Sequence, residues 1–277
     1  IDVIFDESGH SSLKQVYKTF KDTDGFEVQW LSDSEIKSVS SEISAEAIGG
    51  LYTWGNGSLN SMVLTKALAN SALKSGSNLI ETNVMGVDDQ YGHINGLRTK
   101  EGIIGCDHVI FALGPWSNEI EKWLGIHLPV SPLKGQILRT RPLNLENYPD
   151  YDFAHGDISL YRKWDGMVWI GATEEHKGYD ITQTDRAKNM LLCKASRIVP
   201  SISESEIINH TVCLRPITPD WLPIIGKAPG WNNAWLATGA GKKGILLGPA
   251  IGKSISDLIT KETTEIPIHG FEPERFL

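Results

Sequence analysis

The stretch Ala237-Thr-Gly-Ala-Gly-Lys-Lys-Gly-Ile-Leu-Leu-Gly-Pro-Ala-Ile-Gly-Lys-Ser-Ile-Ser-Asp-Leu-Ile259 decides how this chain folds. Gly239, Gly241 and Gly244 stand at G-x-G-x-x-G spacing, behind the apolar run Ala234-Trp-Leu-Ala237 and ahead of an amphipathic helix from about Ile245 to Ile259. A strand, a glycine turn and a helix start are the local frame of a dinucleotide-binding fingerprint, where glycines let backbone approach a pyrophosphate. Such a unit needs a second parallel strand, with an acid about 20 residues on to hold a ribose. The segment after the helix, Lys261-Glu-Thr-Thr-Glu-Ile-Pro-Ile-His-Gly270, lacks that pattern. The turn therefore calls for some role other than holding a nicotinamide dinucleotide.

Composition narrows the field. The 277 residues are 40% hydrophobic and 22% charged, enough for one large core or two smaller ones. The net charge of −8 argues against a general nucleic-acid surface, which needs basic clusters. No apolar run approaches the roughly 18 residues that suggest a membrane span. The cysteines, Cys106, Cys193 and Cys213, show no C-x-x-C spacing, so neither a disulfide framework nor a metal site is expected, and a cytoplasmic setting fits. Ile1-Asp-Val-Ile-Phe5 reads as a strand entered in mid-fold with no signal peptide, as in a chain that has lost its beginning.

Hydrophobic spacing predicts strands at Ile1–Phe5 and Phe26–Leu31, with helices at Ser12–Phe20 and from Ser32, where Ser32-Asp-Ser-Glu35 has capping-box spacing. Gly49-Gly50 punctuates the chain. A helix from Asn60 or Ser61 stops at Gly76, and Asn78–Val87 comes next as a strand. Ile94–Leu97 and Gly102–Gly105 read as an antiparallel pair, and His108–Leu113 as a buried strand ended by Gly114-Pro115. Trp116–Leu124 is a short helix. The middle is β-rich: Leu133–Arg139, Ile158–Lys163 and Met167–Ile170, the last two joined at Asp165-Gly166. A helix over Thr184–Val199 precedes the strand Ile207–Leu214. This alternation predicts two interleaved domains of mixed α/β character.

The stretch Cys213-Leu-Arg-Pro-Ile-Thr-Pro-Asp-Trp-Leu-Pro-Ile-Ile-Gly226 places Arg215 where a strand hands over to a rigid turn set by Pro216 and Pro219. An arginine held there meets a carboxylate with two parallel charge-assisted hydrogen bonds, or serves a structural salt bridge. These residues also carry a family resemblance. Leu214-Arg-Pro-x-Thr-Pro-Asp-x-x-Pro-Ile-Ile-Gly226, Asn233-Ala-Trp-Leu-Ala-Thr-Gly-x-Gly-x-x-Gly-Ile-x-Leu-x-Pro-Ala-x-Gly252 and Asp257-Leu-Ile259 resemble the C-terminal third of the FAD-dependent D-amino-acid oxidase superfamily. The glycine oxidase, sarcosine oxidase and D-amino-acid dehydrogenase branch is the most similar. Val109-Ile-Phe-Ala-Leu-Gly-Pro-Trp-Ser117, Pro129-Val-x-Pro-Leu-Lys-Gly-Gln136 and Gly166-Met-Val-Trp-Ile-Gly-Ala-Thr173 match that family in the same order.

The resemblance implies a truncated FAD-binding Rossmann-like domain interleaved with a mainly antiparallel substrate-binding sheet domain. Residues 1–50 and 129–212 would belong to the substrate domain, and 51–128 and 213–277 to the FAD domain. The glycine turn near the C-terminus would lie against the flavin ring, with the helix N-terminus aimed at the ring edge that gains negative charge on reduction. The implied cofactor residues are Val84, Ala112, Gly114, Trp116, Cys213, Gly239, Gly241, Lys242, Lys243, Gly244 and Ile245. Arg215 would hold a substrate carboxylate, and Ser159, Tyr161 and Asp157, near His155, would line the substrate. The family's usual tyrosine aligns better with Ser159 than with Tyr161. Lys242 and Lys243 are either catalytic, stabilising reduced flavin, or a solvated pair. Cys213 stands where one branch bonds covalently to flavin, or is a small buried side chain. The family's opening strand and fingerprint are not found, so the expectation is weak or no FAD binding by these residues alone.

The expected activity is oxidation of the C–N bond of an amino acid or secondary amine, as an oxidase or dehydrogenase. Alternatives are a non-enzymatic binding or subunit-like module, and a FAD enzyme for hydroxyl substrates. Expected partners are a small amine substrate, and an oligomer or electron-acceptor partner, without nucleic acid or a membrane span.

Overall fold

The computed structural model describes residues 1–144 and 148–276. The chain divides into two compact units, the first made of Ile1–Leu64, Gly135–Glu174 and Ile181–Cys213, the second of Thr65–Lys134, Glu175–Asp180 and Leu214–Leu277.

The first unit begins with β1 (Asp2–Ile4), α1 (Ser8–Lys21), β2 (Glu27–Leu31), α2 (Asp33–Val39) and β3 (Gly49–Trp54). Helix α1 starts four residues before the expected Ser12, because the Asp6 carboxylate accepts the Ser8 N–H at 3.0 Å and satisfies a free donor of the first turn. The capping box of α2 forms as expected: the Ser32 side chain accepts from the Glu35 N–H, and the Glu35 carboxylate accepts from the Ser32 N–H. Gly49 and Gly50 do not break the chain but open β3. A Cβ on Gly49 would stand 2.8 Å from the Leu31 carbonyl, and one on Gly50 2.8 Å from Ile36 Cδ1, so close approach of backbone and α2 demands glycine.

The sheet is completed by β8 (Ser131–Arg141), β9 (Phe153–His155), β10 (Ile158–Arg162), β11 (Val168–Gly171) and β12 (Glu206–Ile217), in the order β12-β8-β11-β10-β9-β1-β3-β2. The β10–β11 hairpin turns at Gly166, whose φ of +78° suits glycine. Strand alternation turns Leu138, Ile158, Leu160, Val168 and Ile170 to one side, where they pack with Leu191, Ala195 and Ile198 of α5 (Asp185–Ile198). Full burial of each such aliphatic side chain contributes about 1.5–3 kcal/mol. Thr184 caps α5 by accepting the Ala187 N–H. Gln136 holds that cap: its Oε1 accepts the Thr184 N–H and its Nε2 donates to Thr184 Oγ1, both at 3.1 Å.

The second unit contains all but the first turn of α3 (Ser61–Lys74), with β4 (Gly86–Gln90), β5 (His93–Thr99), β6 (Gly102–Gly105), β7 (Val109–Phe111), α4 (Glu121–Leu124), β13 (Ile224–Lys227), β14 (Ala234–Thr238) and α6 (Gly244–Lys261). Its sheets run β4-β5-β6 and β13-β14-β7. Asn233 ties them together, accepting the Ile94 N–H at 2.9 Å and donating to the Ile94 and Asp107 carbonyls at 2.8 Å. The strand expected over Asn78–Val87 is not formed before Gly86. A strand needs a paired neighbour, and Leu79 and Ile80 stand 70% and 59% exposed without one among the described residues. The run His108–Leu113 is buried on one face only, since Ile110 of β7 is half exposed. Trp116 lies in a 3-10 segment, Gly114–Ile120, before α4.

Candidate functional site

In the second unit β7 and β14 run parallel, with Leu236 beside Phe111, so their carboxyl ends open at the same edge. In α/β sheets, ligands bind outside such ends. Gly114 (φ +54°) comes after the first strand and Gly239 (φ +75°) after the second. The two turns are bolted together: Ser117 and Thr238 donate their hydroxyls to the Gly114 carbonyl at 2.7 and 3.2 Å, and touch each other. From Gly239 the chain makes one 3-10 turn, Gly241–Lys243, and enters α6.

The glycines divide by what surrounds them. A Cβ on Gly239 would lie 2.8 Å from Thr218 Cγ2, so this glycine serves internal packing. A Cβ on Gly241 or Gly244 would meet nothing closer than 3.6 and 3.9 Å, so no internal contact demands glycine there. The start of α6 has no side-chain cap and no acid in its first turn, and Ile245 and Leu246 are exposed. Uncapped N–H groups, the positive end of a helix dipole and bare aliphatic side chains fit a flat ring that acquires negative charge at one edge. The flavin implied by the motifs is such a group. Gly241, Lys242, Lys243, Gly244 and Ile245 would hold it.

Arg215 lies within β12, which runs through Pro216 to Ile217 instead of ending at Leu214; proline is tolerated because β12 is the sheet's outer strand. Lys242 Nζ sits 5.4 Å from the Trp221 ring centroid, while Lys243 is exposed. Trp116 stacks on Tyr179, whose hydroxyl donates to the Pro115 carbonyl at 3.0 Å. Ala112 is exposed beyond β7, and Val84 is partly exposed before β4.

The turn after β12 is set by Asp220, a residue with no role expected from the sequence. Its carboxylate accepts from Thr218 Oγ1 at 2.9 Å, the Leu222 N–H at 3.0 Å and Arg275 Nε at 2.8 Å. The Arg275 hydrogen bond holds its pKa at about 2. The folded value is below the unfolded value near 3.9, so this contribution is complete above the unfolded pKa and is lost as pH falls through about 4 toward 2. Asp220→Asn is expected to cost about 1 kcal/mol at pH 7, discounted because the pair is partly exposed. Urea midpoints of the two proteins should converge between pH 4 and pH 2; a constant gap would exclude this linkage.

In the first unit Ser159 and Tyr161 share the face of β10 opposite the Leu160 core. Asp157 does not join them. It occupies the turn before β10, where Lys194 of α5 donates to its two oxygens at 2.6 and 2.7 Å. His155 Nδ1 bonds to the Val3 carbonyl at 2.9 Å. Cys213 is a free, exposed thiol, not the buried small side chain of the alternative reading.

Residues 1–258 match the family described as FAD dependent oxidoreductase. The chain belongs to that family. Among members of the FAD-dependent oxidoreductases, it is 31% identical over 226 residues to a glycine oxidase of Pseudomonas putida, covering 81% of this chain and 61% of the relative. It is 32% identical over 253 residues to the hydrogen cyanide synthase subunit HcnC of Pseudomonas protegens, covering 90% of this chain and 60% of that protein. The chain thus spans about three-fifths of the length of these relatives. Its fold superposes on the crystal structure of glycine oxidase from Geobacillus kaustophilus with a TM-score of 0.92 and 26% identity, covering 100% of this chain and 74% of the other. It also superposes on the L-proline dehydrogenase of P. horikoshii with a TM-score of 0.89 and 25% identity, covering 99% and 75%. Among the described residues no helix is long and apolar enough to cross a membrane, and no cluster of ligating side chains suits a metal.

Proposed function

We propose that this chain forms the ring-side and substrate-side parts of a flavin-dependent oxidase or dehydrogenase acting on the C–N bond of an amino acid or secondary amine. The observation that carries the reading is the Gly239–Gly244 turn, where internal packing requires glycine at position 239 alone and an uncapped helix start faces outward. The relatives named glycine oxidase and L-proline dehydrogenase support the substrate class.

A bound flavin supplies the acceptor for a hydride. The chain's own residues supply position and charge. Arg215 pairs with the substrate carboxylate and orients the Cα–H bond, since placement of reacting groups accounts for much of such a rate. Ser159 and Tyr161 offer hydroxyls to the substrate. The α6 N-terminus, with Lys242 and Lys243, favours negative charge on the ring edge. Gly241 and Gly244 leave room for the ring.

The test is anaerobic bleaching. The full-length protein with flavin should lose its visible absorbance on addition of glycine, N-methylglycine or proline, and hydrolysis of the imine should release the corresponding oxo acid or aldehyde. Bleaching by a polyol phosphate, with none by any amine, would overturn the reading.

A further inference from the structure

The register of the first unit's sheet places Arg139 of β8 opposite Trp169 of β11, and Trp169 opposite Tyr161 of β10. The three therefore form one row on the face turned away from Leu138, Leu160 and Ile170. The Arg139 guanidinium carbon lies 4.3 Å from the Trp169 ring centroid. Lys163, just past the end of β10, brings its Nζ to 5.1 Å from both the Trp169 and Tyr161 rings. Two cations share one indole. Among the described residues no carboxylate comes within the 4.0 Å ion-pair distance of either, although Lys163 feels the fields of Asp152 and Asp165.

The donors on this row are also unanswered. Arg139 Nε and Trp169 Nε1 are both shielded from water and have no hydrogen-bond partner. Buried donors are nearly always paired, and an orphan costs free energy that nothing inside this unit returns. Stacking on an aromatic ring accounts for the place of one cation, because the ring face is electron-rich. It leaves unexplained two cations on one ring and two N–H groups without acceptors. A planar anion with two oxygens answers the charge: it pairs with the partly exposed Arg139 guanidinium beside Lys163 and neutralises both cations, while the shielded Nε and Nε1 stay out of its reach. Tyr161, 40% exposed, and the partly exposed Arg139 and Trp169 leave the row open to a small molecule.

We propose that Arg139, Trp169 and Lys163 form a binding site for the carboxylate of a small organic acid. The carboxylate arrives on a free organic acid or as the side-chain carboxylate of an acidic amino acid. This site adjoins Tyr161, which the proposed function gives to the amine substrate; its test measures binding at Trp169 without turnover, so either can fail alone.

The experiment is a titration of the full chain labelled with ¹⁵N-tryptophan. Each of the nine tryptophans contributes an indole N–H resonance, and Trp169→Phe identifies the one that matters. At constant ionic strength, succinate should shift the Trp169 signal saturably and the uncharged succinamide should not. Arg139→Gln and Lys163→Gln should each weaken the response about tenfold or more, about 1.4 kcal/mol. If Arg139→Gln does not fold, Arg139→Lys and the contrast between succinate and succinamide in the unaltered protein still decide the matter. Stronger binding of glutamate than of succinate, with none of glutamine, assigns the site to an acidic amino acid; the reverse order assigns it to a free acid. A Trp169 signal that never saturates, or that responds equally to succinamide, overturns the site.

Discussion

Replacing Arg215 with lysine in the flavin-loaded full-length protein is expected to lower kcat/KM for a carboxylate-bearing amine by about 30-fold or more, about 2 kcal/mol. The size of the effect comes from geometry. Arg215 sits in the outer strand β12, and Pro216 fixes the backbone directly after it. A guanidinium presented from so rigid a strand offers two parallel N–H donors in a fixed plane, while a lysine ammonium at the same place is a single mobile charge. The loss should therefore concern carboxylate recognition and not the flavin. An amine analogue without the carboxylate should react at nearly the same rate with both proteins, and the thermal midpoints should differ little. Equal losses for the amino acid and its decarboxylated analogue would mean that Arg215 serves the fold alone.

Much of the architecture is legible in the sequence because it is written in local signals. The Ser32–Glu35 capping box and the Asp165-Gly166 hairpin each use groups within a few residues of one another, and each forms. Alternation along β10 and β11 likewise separates Leu160 and Ile170 from Tyr161 and Trp169. What sequence alone does not convey is which strands become neighbours. Asn78–Val87 has strand composition yet pairs only from Gly86, because a ladder needs a partner that no local pattern can name. Gly49 and Gly50 look like a break for the same reason: the Leu31 carbonyl and Ile36, which press against them, are brought there by pairing with β2 and by α2. The row of Arg139, Trp169 and Tyr161 depends on register across three strands, and its residues lie up to 30 positions apart. Asp157 shows the converse. Its place near Ser159 suggests a shared role, but the turn before β10 points it to Lys194.

Gly244→Ala is expected to abolish flavin binding, or weaken it at least about a hundredfold, about 2.7 kcal/mol, while leaving the fold intact or slightly firmer. Gly244 is the better probe of the turn because its backbone is already helical, with φ −56° and ψ −41°, and an added Cβ meets nothing nearer than Ala240 Cβ at 3.9 Å. Alanine is the stronger helix former by about 1 kcal/mol, so the substitution carries no folding penalty of its own. Gly239→Ala provides the contrast: at φ +75°, with Thr218 Cγ2 at 2.8 Å, it should lower the unfolding midpoint whatever the ligand. Gly241, at φ +52°, falls between them, since alanine there is strained even though space is available. A methyl group on Gly244 therefore acts outward, against whatever lies on the helix start. If that is a flavin ring, fluorescence titration with FAD should show the loss, while NAD binds neither protein. Undiminished FAD affinity in a folded Gly244→Ala protein would remove the ring from the α6 N-terminus. The helix start without a side-chain cap and the exposed Ile245 and Leu246 would then need another ligand to explain them.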